Sequence, residues 1–302
     1  MKLLSMKTTR GNRAGILIGD EALDYSRYLE VILRKAAIFH DAIDLYNAGL
    51  DRLQETISAM QSDPQLAIEC RDADALLPLS DISFNTPVLV PSKILAVGLN
   101  YASHIAEQSG KQPESPLIFS KCTTALIAAG EAIRLPRISD MIDYEAELAV
   151  IIGREAKSIR RDEATDYIAG YTIMNDVTAR DLQRRERQWA RAKGLDTFAP
   201  CGPWMVTSDE IPNPHALDIE LRVNGELRQQ ANTADLIHDI PALVEFISQD
   251  LTLRPGDIIS TGTPSGVGVY LDPPVFLKAG DRIEIRIERI GTLSNHVVGR
   301  ES

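Results

Sequence analysis

Asp143-Tyr144-Glu145-Ala146-Glu147 places a carboxylate at every second position. Side chains alternate faces along a strand, so Asp143, Glu145 and Glu147 would share one face and Tyr144 and Ala146 the other. Like charges this close repel unless water or a cation sits among them. The segment runs into Leu148-Ala149-Val150-Ile151-Ile152, a continuous apolar run typical of a strand buried on both faces. Carboxylates leading into such a strand need a partner; the alternative is an exposed strand with a solvated acidic face. A further acid, Asp176, follows the apolar run Tyr171-Thr172-Ile173-Met174 and falls where that strand must end. Asp176 or Thr178 could instead cap a following helix. With no Cys or His nearby, these oxygen donors suit a hard ion such as Mg2+ or Mn2+, not Zn2+.

Asn100-Tyr101-Ala102-Ser103-His104-Ile105-Ala106-Glu107 holds a second chemical pair. One helical turn over 102–108 puts His104 and Glu107 at i, i+3, within reach of each other. A carboxylate on one imidazole nitrogen fixes the tautomer and raises the ring's basicity, leaving the other nitrogen to take a proton from water. A helical histidine can equally be structural or merely exposed. The polar run Gln108–Glu114, with its Gly and Pro, suits a mobile lid. Gly262-Thr263-Pro264-Ser265-Gly266-Val267-Gly268 lacks the Gly-Lys-Ser/Thr ending of a phosphate loop and reads as a tight turn that brings backbone close to a ligand. His215 reads as a loop residue and His238 as structural. His40 and His296 have no acidic partner pattern. Arg184-Arg185-Glu186-Arg187 reads as a solvated helix face.

The elements that must position these residues divide at about residue 85. Residues 1–85 are expected to form a small α+β domain: a hairpin over Lys2–Leu23, then one long helix from about Tyr28 to Met60, where Val31, Ile32, Ala36, Phe39, Ile43, Tyr46, Leu50, Leu53 and Ile57 recur at helical spacing. Ser62-Asp63-Pro64 should stop that helix, and Leu76–Pro91 reads as a linker. Residues 86–302 are expected to be the catalytic metal-binding domain. Its strands include Lys93–Gly98, Leu148–Gly153, Ile219–Val223 followed by the hairpin signal Asn224-Gly225, and the alternating run Arg282–Arg289. Helices are expected near Asp162–Ala169 and Pro241–Gln249. Strands dominate without a regular βαβ rhythm, so the fold class is α+β with a curved, mostly β catalytic domain. The net charge of −11 opposes a nucleic-acid partner. Three scattered cysteines and the lack of a long apolar run predict reduced thiols, no membrane span and a cytoplasmic location.

Taken together, the motifs resemble the fumarylacetoacetate hydrolase superfamily. The resemblance rests on Asn100-Tyr101-x-x-His104-x-x-Glu107, Pro116-Leu117-Ile118-Phe119-Ser120-Lys121, Asp143-Tyr144-Glu145-x-Glu147-Leu148 and Asn175-Asp176-x-x-Ala179-Arg180-Asp181-Leu182-Gln183. It continues through Lys193-x-x-Asp196-Thr197-Phe198-x-Pro200, Arg254-Pro255-Gly256-Asp257 and the stretch Thr261–Gly268, so that it spans about 92–298. It implies a mixed β-roll catalytic domain, a homodimer and a Mg2+ or Mn2+ ion held by Glu145, Glu147 and Asp176. It further implies a His104–Glu107 base dyad, Lys193 facing substrate oxygens, Thr263 on the substrate carboxylate, Arg180 and Gln183 lining or supporting the site, and Asp143 supporting it from outside the ligand shell. The long eukaryotic-type members carry one more aspartate ligand before the histidine; here that stretch is Gly98-Leu99-Asn100, which points to the shorter three-carboxylate subgroup and away from fumarylacetoacetate itself. The implied activity is cleavage of a C–C bond in a 2,4-dioxo acid through a pyruvate-type enolate. Decarboxylation or isomerisation of a 2-oxo acid on the same site is the alternative, and a catalytically silent metal-binding scaffold a third reading.

Overall fold

The computed structural model describes residues 1–300. Strands β1 (Lys2–Thr8) and β2 (Gly11–Ile18) form the expected hairpin, and β3 (Glu21–Asp24) extends it. Asp24 then caps α1 (Tyr25–Val31), its carboxylate accepting from the Arg27 amide at 3.0 Å. The single helix expected from Tyr28 to Met60 is instead three: α1, then α2 (Ala42–Asn47) and α3 (Leu50–Ser62). The breaks have local causes. Phe39 is drawn to β2 by the Ala14 amide, Asp41 caps α2, and Gly49 takes a positive φ of 103° that no helix accommodates. The helical spacing of apolar residues persisted across the breaks because all three pieces pack on one core. Ser62-Asp63-Pro64 does stop α3, and Asp63 also starts α4 (Pro64–Asp72), accepting from the Gln65 and Leu66 amides. The stretch read as a linker contributes β4 (Leu76–Pro78), paired with β3, and β5 (Ser83–Phe84), paired with β1.

The rest of the chain is strand-rich, as expected. It contains β6 (Ile94–Gly98), α5 (Ala102–Glu107), β7 (Leu117–Lys121), β8 (Leu126–Ile127), β9 (Ala132–Arg134), β10 (Ile142–Asp143), β11 (Ala146–Ile152) and β12 (Ile168–Asn175). It continues with β13 (Thr178–Ala179), α6 (Arg180–Glu186), α7 (Trp189–Lys193), β14 (Ala199–Thr207), β15 (Asp218–Val223) and β16 (Glu226–Asn232). It ends with α8 (Ile240–Asp250), β17 (Ile258–Ser260), β18 (Arg282–Ile287) and β19 (Gly291–Val298). The helix expected near Asp162–Ala169 is a 3-10 segment over Arg161–Tyr167, because Ile168 already belongs to β12.

A twelve-stranded sheet runs in the order β4-β3-β2-β1-β14-β12-β11-β17-β6-β7, with β5 and β8 at its side; a five-stranded sheet runs β16-β15-β18-β19-β9. The hydrogen-bonded ladder crosses residue 85, since β1 pairs with β14 (Leu3 opposite Met205). Strand β11 is buried on both faces. Leu148, Val150 and Ile152 join the main core with Ile219, Ile285 and the α8 residues Leu243 and Ile247. Ala149 and Ile151 face the other way, into a second core built with Leu3, Ile16, Tyr25, Leu45 and Leu53. That double burial is the physical meaning of the unbroken apolar run. The fold class is α+β, and among the described residues no helix is long and apolar enough to cross a membrane.

Candidate active site

The ends of β11 and β12 assemble the acidic cluster. The two strands pair antiparallel with Ala146 opposite Asn175, and the Asp176 amide donates to the Glu145 carbonyl at 2.9 Å. One ladder thus joins two motifs far apart in sequence. Glu145, Glu147 and Asp176 are all buried, and one carboxylate oxygen from each lies within 4.8 Å of the others. Asp143 does not share their face, which corrects the strand reading. The chain pairs with β13 through Asp143, leaves the ladder at Tyr144 and Glu145, and rejoins on β12 at Ala146, so the strict alternation is lost. Asp143 accepts from the Gly268 and Val269 amides at 2.7 and 3.0 Å and from Arg180 Nε at 2.8 Å.

Charge in the cluster is balanced unevenly. Burial pushes Glu145 up, but Lys193 and Arg180 outweigh it and hold the carboxyl at about 2. Burial together with Asp176 and Glu145 pushes Glu147 up to about 8. Glu147 Oε2 is nevertheless cradled by the Ser260 hydroxyl at 2.5 Å and the Gly262 amide at 3.0 Å. Lys193 Nζ lies 2.7 Å from Glu145, 2.8 Å from Asp176 and 2.8 Å from the Thr178 hydroxyl. Burial opposes the charge on Lys193, yet Asp176 and Glu145 raise its pKa above the usual lysine value. Three buried carboxylates with an oxygen from each within 4.8 Å of the others form an all-oxygen donor set that fits a hard divalent cation.

The dyad is formed in α5. Glu107 Oε1 lies 2.5 Å from His104 Nδ1, and Glu107 Oε2 accepts from the Gly266 amide at 2.8 Å. His104 Nε2, the nitrogen turned toward the site, meets Gln108 Nε2 at 2.8 Å. Asn100 seats the start of α5, donating to the Thr261 and His238 carbonyls and accepting from the His238 amide. The glycine-rich stretch works as a tight turn, but its amides serve the site's carboxylates: Gly262 holds Glu147, Gly266 holds Glu107 and Gly268 holds Asp143. Gly266 has φ +101°, and a Cβ there would stand 2.0 Å from the Arg228 carbonyl oxygen.

A cavity of about 220 Å³ is lined by His104, Glu145, Glu147, Asp176, Arg180, Gln183, Lys193 and Thr263, with Gln108, Phe119, Arg184, Trp189 and Tyr270 around them. The residues the resemblance assigns to the site are therefore at the cavity wall except Glu107, which stands behind His104, and Asp143, which supports from outside it. Phe119 and Trp189 pack edge to face over Lys193. Arg180 is spent on Asp143, on Glu145 at 2.7 Å and on Gln183 at 3.1 Å.

Sequence reasoning missed Lys121, Gln229 and Gln108. Lys121 is fully buried; its ammonium touches Asp176 Oδ1 and the Lys193 carbonyl, and burial lowers its pKa despite Asp176. Its signal was a lysine closing an otherwise uncharged strand. Gln229 holds Thr263, donating to its hydroxyl at 2.8 Å and to the Pro264 carbonyl while accepting from the Ala146 amide. Nothing in the polar run Arg228-Gln229-Gln230 sets it apart. The three cysteines are free.

Comparison with known proteins gives the family. Residues 93–298 match the family model described as Fumarylacetoacetate (FAA) hydrolase C-terminal. An uncharacterized protein of Methanocaldococcus jannaschii is 52% identical over 219 residues, 72% of this chain and 88% of that one. The mitochondrial oxaloacetate tautomerase fahd2 of Xenopus laevis is 42% identical over 260 residues, 85% of this chain and 82% of that one. The crystal structure of maleylpyruvate hydrolase from Sphingobium sp. SYK-6 in complex with manganese(II) and pyruvate superposes with a TM-score of 0.77 at 33% identity, covering 100% of both chains. The chain belongs to the fumarylacetoacetate hydrolase family.

Proposed function

We propose that this chain is a divalent-metal-dependent enzyme that interconverts a 2-oxo acid and its enol, with oxaloacetate as the leading substrate. The observation that carries the reading is the single cavity holding a three-carboxylate cluster, a buried ammonium and a carboxylate-oriented imidazole. Glu145, Glu147 and Asp176 would hold Mg2+ or Mn2+, which when bound supplies a Lewis acid for the 2-oxo carbonyl. His104, fixed by Glu107 through Nδ1, takes a proton from C3 of the keto acid at Nε2, so Gln108 must yield that nitrogen. The C3–H electron pair becomes the C2–C3 double bond, and negative charge builds on the C2 oxygen beside the Lys193 ammonium. A proton from solvent on that oxygen completes the enol, and His104 releases the C3 proton to solvent; the reverse sequence gives the keto form. Thr263, held by Gln229, serves the substrate carboxylate, and Arg180 with Gln183 fixes the cluster.

Similarity to oxaloacetate tautomerase favours this reaction over the hydrolysis expected from sequence. Cleavage of a 2,4-dioxo acid is the second reading, supported by full-length likeness to maleylpyruvate hydrolase. There His104 would activate water toward the 4-carbonyl, the C3–C4 bond would break, and its electron pair would leave as a pyruvate enolate with charge on the C2 oxygen, to be protonated at C3. Product analysis by NMR on oxaloacetate and on a panel of 2,4-dioxo acids decides between them. Acceleration of enol–keto exchange by the Mn2+-loaded protein, abolished by chelator, is expected; cleavage of a dioxo acid without such acceleration would install the second reading. Turnover unaffected by chelator would remove the metal from both. A homodimer is part of the same proposal, and sedimentation at micromolar concentration reads it.

A further inference from the structure

The cations of the cavity differ in how far their charge is already answered. Lys193 is answered by Glu145 and Asp176, and Arg180 by Asp143 and Glu145. Arg184 lines the same cavity, one helical turn after Arg180 on α6, so both reach it from one helix face. Its local competitors are spent. Arg185 and Arg191 share Glu186, and Asp181 takes the Ser139 hydroxyl. Among the described residues Arg184 has neither an ion pair nor a hydrogen-bond partner. Unpaired guanidinium groups are ordinary on a solvated helix face; what sets Arg184 apart from the exposed Arg185 and Arg187 beside it is that it lines the cavity. Among the lining residues, Glu145, Glu147, Asp176 and Lys193 are buried, whereas Gln183 and Trp189 on α6 and α7 are half-buried and Arg184 is exposed. A guanidinium fork there matches a planar two-oxygen anion, and for a 2-oxo acid substrate that anion is a carboxylate.

We propose that Arg184 determines substrate class: it receives the second carboxylate of a 2-oxo dicarboxylic acid whose 2-oxo end lies at the acidic cluster. This rests on the reading above and adds to it the residue that separates dicarboxylic from monocarboxylic substrates.

The test is calorimetric titration of the Mn2+-loaded protein with a matched pair of inert acids, 2-oxoglutarate and 2-oxopentanoate, which differ in a terminal carboxylate against a methyl group. Oxalate, a planar mimic of the enolate end, is titrated alongside. Wild type should bind 2-oxoglutarate about five- to tenfold tighter than 2-oxopentanoate, a ratio scaled to a partly exposed charge-assisted pair. Arg184→Met should bring the ratio to about one, whereas Arg185→Met, which removes the same charge outside the cavity, should keep it. Oxalate binding with no preference in wild type, or a preference that survives Arg184→Met, would overturn the assignment of Arg184 and leave the 2-oxo acid reading standing. Failure of all three acids to bind would overturn that reading itself, and this inference with it.

Discussion

At the residue scale, the site is a set of buried charges whose answers are all local. His104 carries the proton in the proposed chemistry and is not among the carboxylate donors, so His104→Ala should keep metal content while enol–keto exchange falls by roughly 10²–10⁴-fold, the usual worth of a positioned base. Steady-state rates and metal analysis of the same sample check this, and an unchanged rate would remove His104 from the mechanism. Glu107 orients the ring and also anchors Gly266, so its loss disturbs the loop as well as the tautomer. Lys121 presents a different case, because it answers Asp176 from a fully buried position. Lys121→Met leaves part of that carboxylate's charge uncompensated. The metal-free protein should lose about 3–5 kcal/mol, as for other broken buried pairs. The denaturant midpoint reads the loss, and added Mn2+ should recover much of it. An unchanged midpoint would mean that Lys193 alone suffices for Asp176.

At the element scale, α8 shows how a residue read as plain loop comes to cap a helix distant in sequence. Asp239 caps it by accepting from the Ala242 amide at 2.9 Å, and His215 Nε2 accepts from the Ile240 amide at 3.1 Å. Only a neutral imidazole can accept that bond. Burial lowers the His215 pKa below its ordinary value, with Asp239 opposing the shift. Between that lowered value and about 6.5, the unfolded chain binds more protons than the folded one. Stability from this contact is therefore full above about pH 6.5 and declines as pH falls through the window. Because His215 is only half-buried, the change should be about 0.5 kcal/mol. Thermal melts of wild type and His215→Ala from pH 7.5 to 5 check it: the difference between them should shrink on acidification. A difference that grows instead would refute the neutral cap.

At the scale of the whole molecule, residues 1–85 and residues 86–300 share a sheet and a core. Met1 extends this, its amino group donating to the Thr207 hydroxyl at 2.5 Å. Removing residues 1–85 would strip β14 of its β1 partner and uncover Ala149, Ile151, Met174 and Met205, which pack against Leu3, Ile16 and Leu45. An unpaired edge beside a bared apolar face favours aggregation. The truncated chain should sediment as aggregate or lose its cooperative melt. A soluble fragment with a sharp transition would establish residues 86–302 as an independently folding domain.

The sequence by itself determined the family and which residue types lie at the candidate site. Carboxylates beside buried strands marked the acidic cluster, but by alternation alone Asp143 belonged with Glu145 and Glu147; the set Glu145, Glu147 and Asp176 was legible through the family resemblance. His104 and Glu107 were legible because helical spacing is local. Strand runs such as Leu148–Ile152 and the Asn224-Gly225 hairpin also followed from short-range pattern. Where apolar spacing was shared by several short helices on one core, as over Tyr28–Met60, periodicity could not locate the breaks. Tertiary structure alone decided that Asp143 turns away to Gly268, that Lys121 reaches Asp176, and that Gln229 holds Thr263. Each of these joins residues far apart in the chain, and such contacts are set by strand register and packing, for which a single sequence carries no local signal.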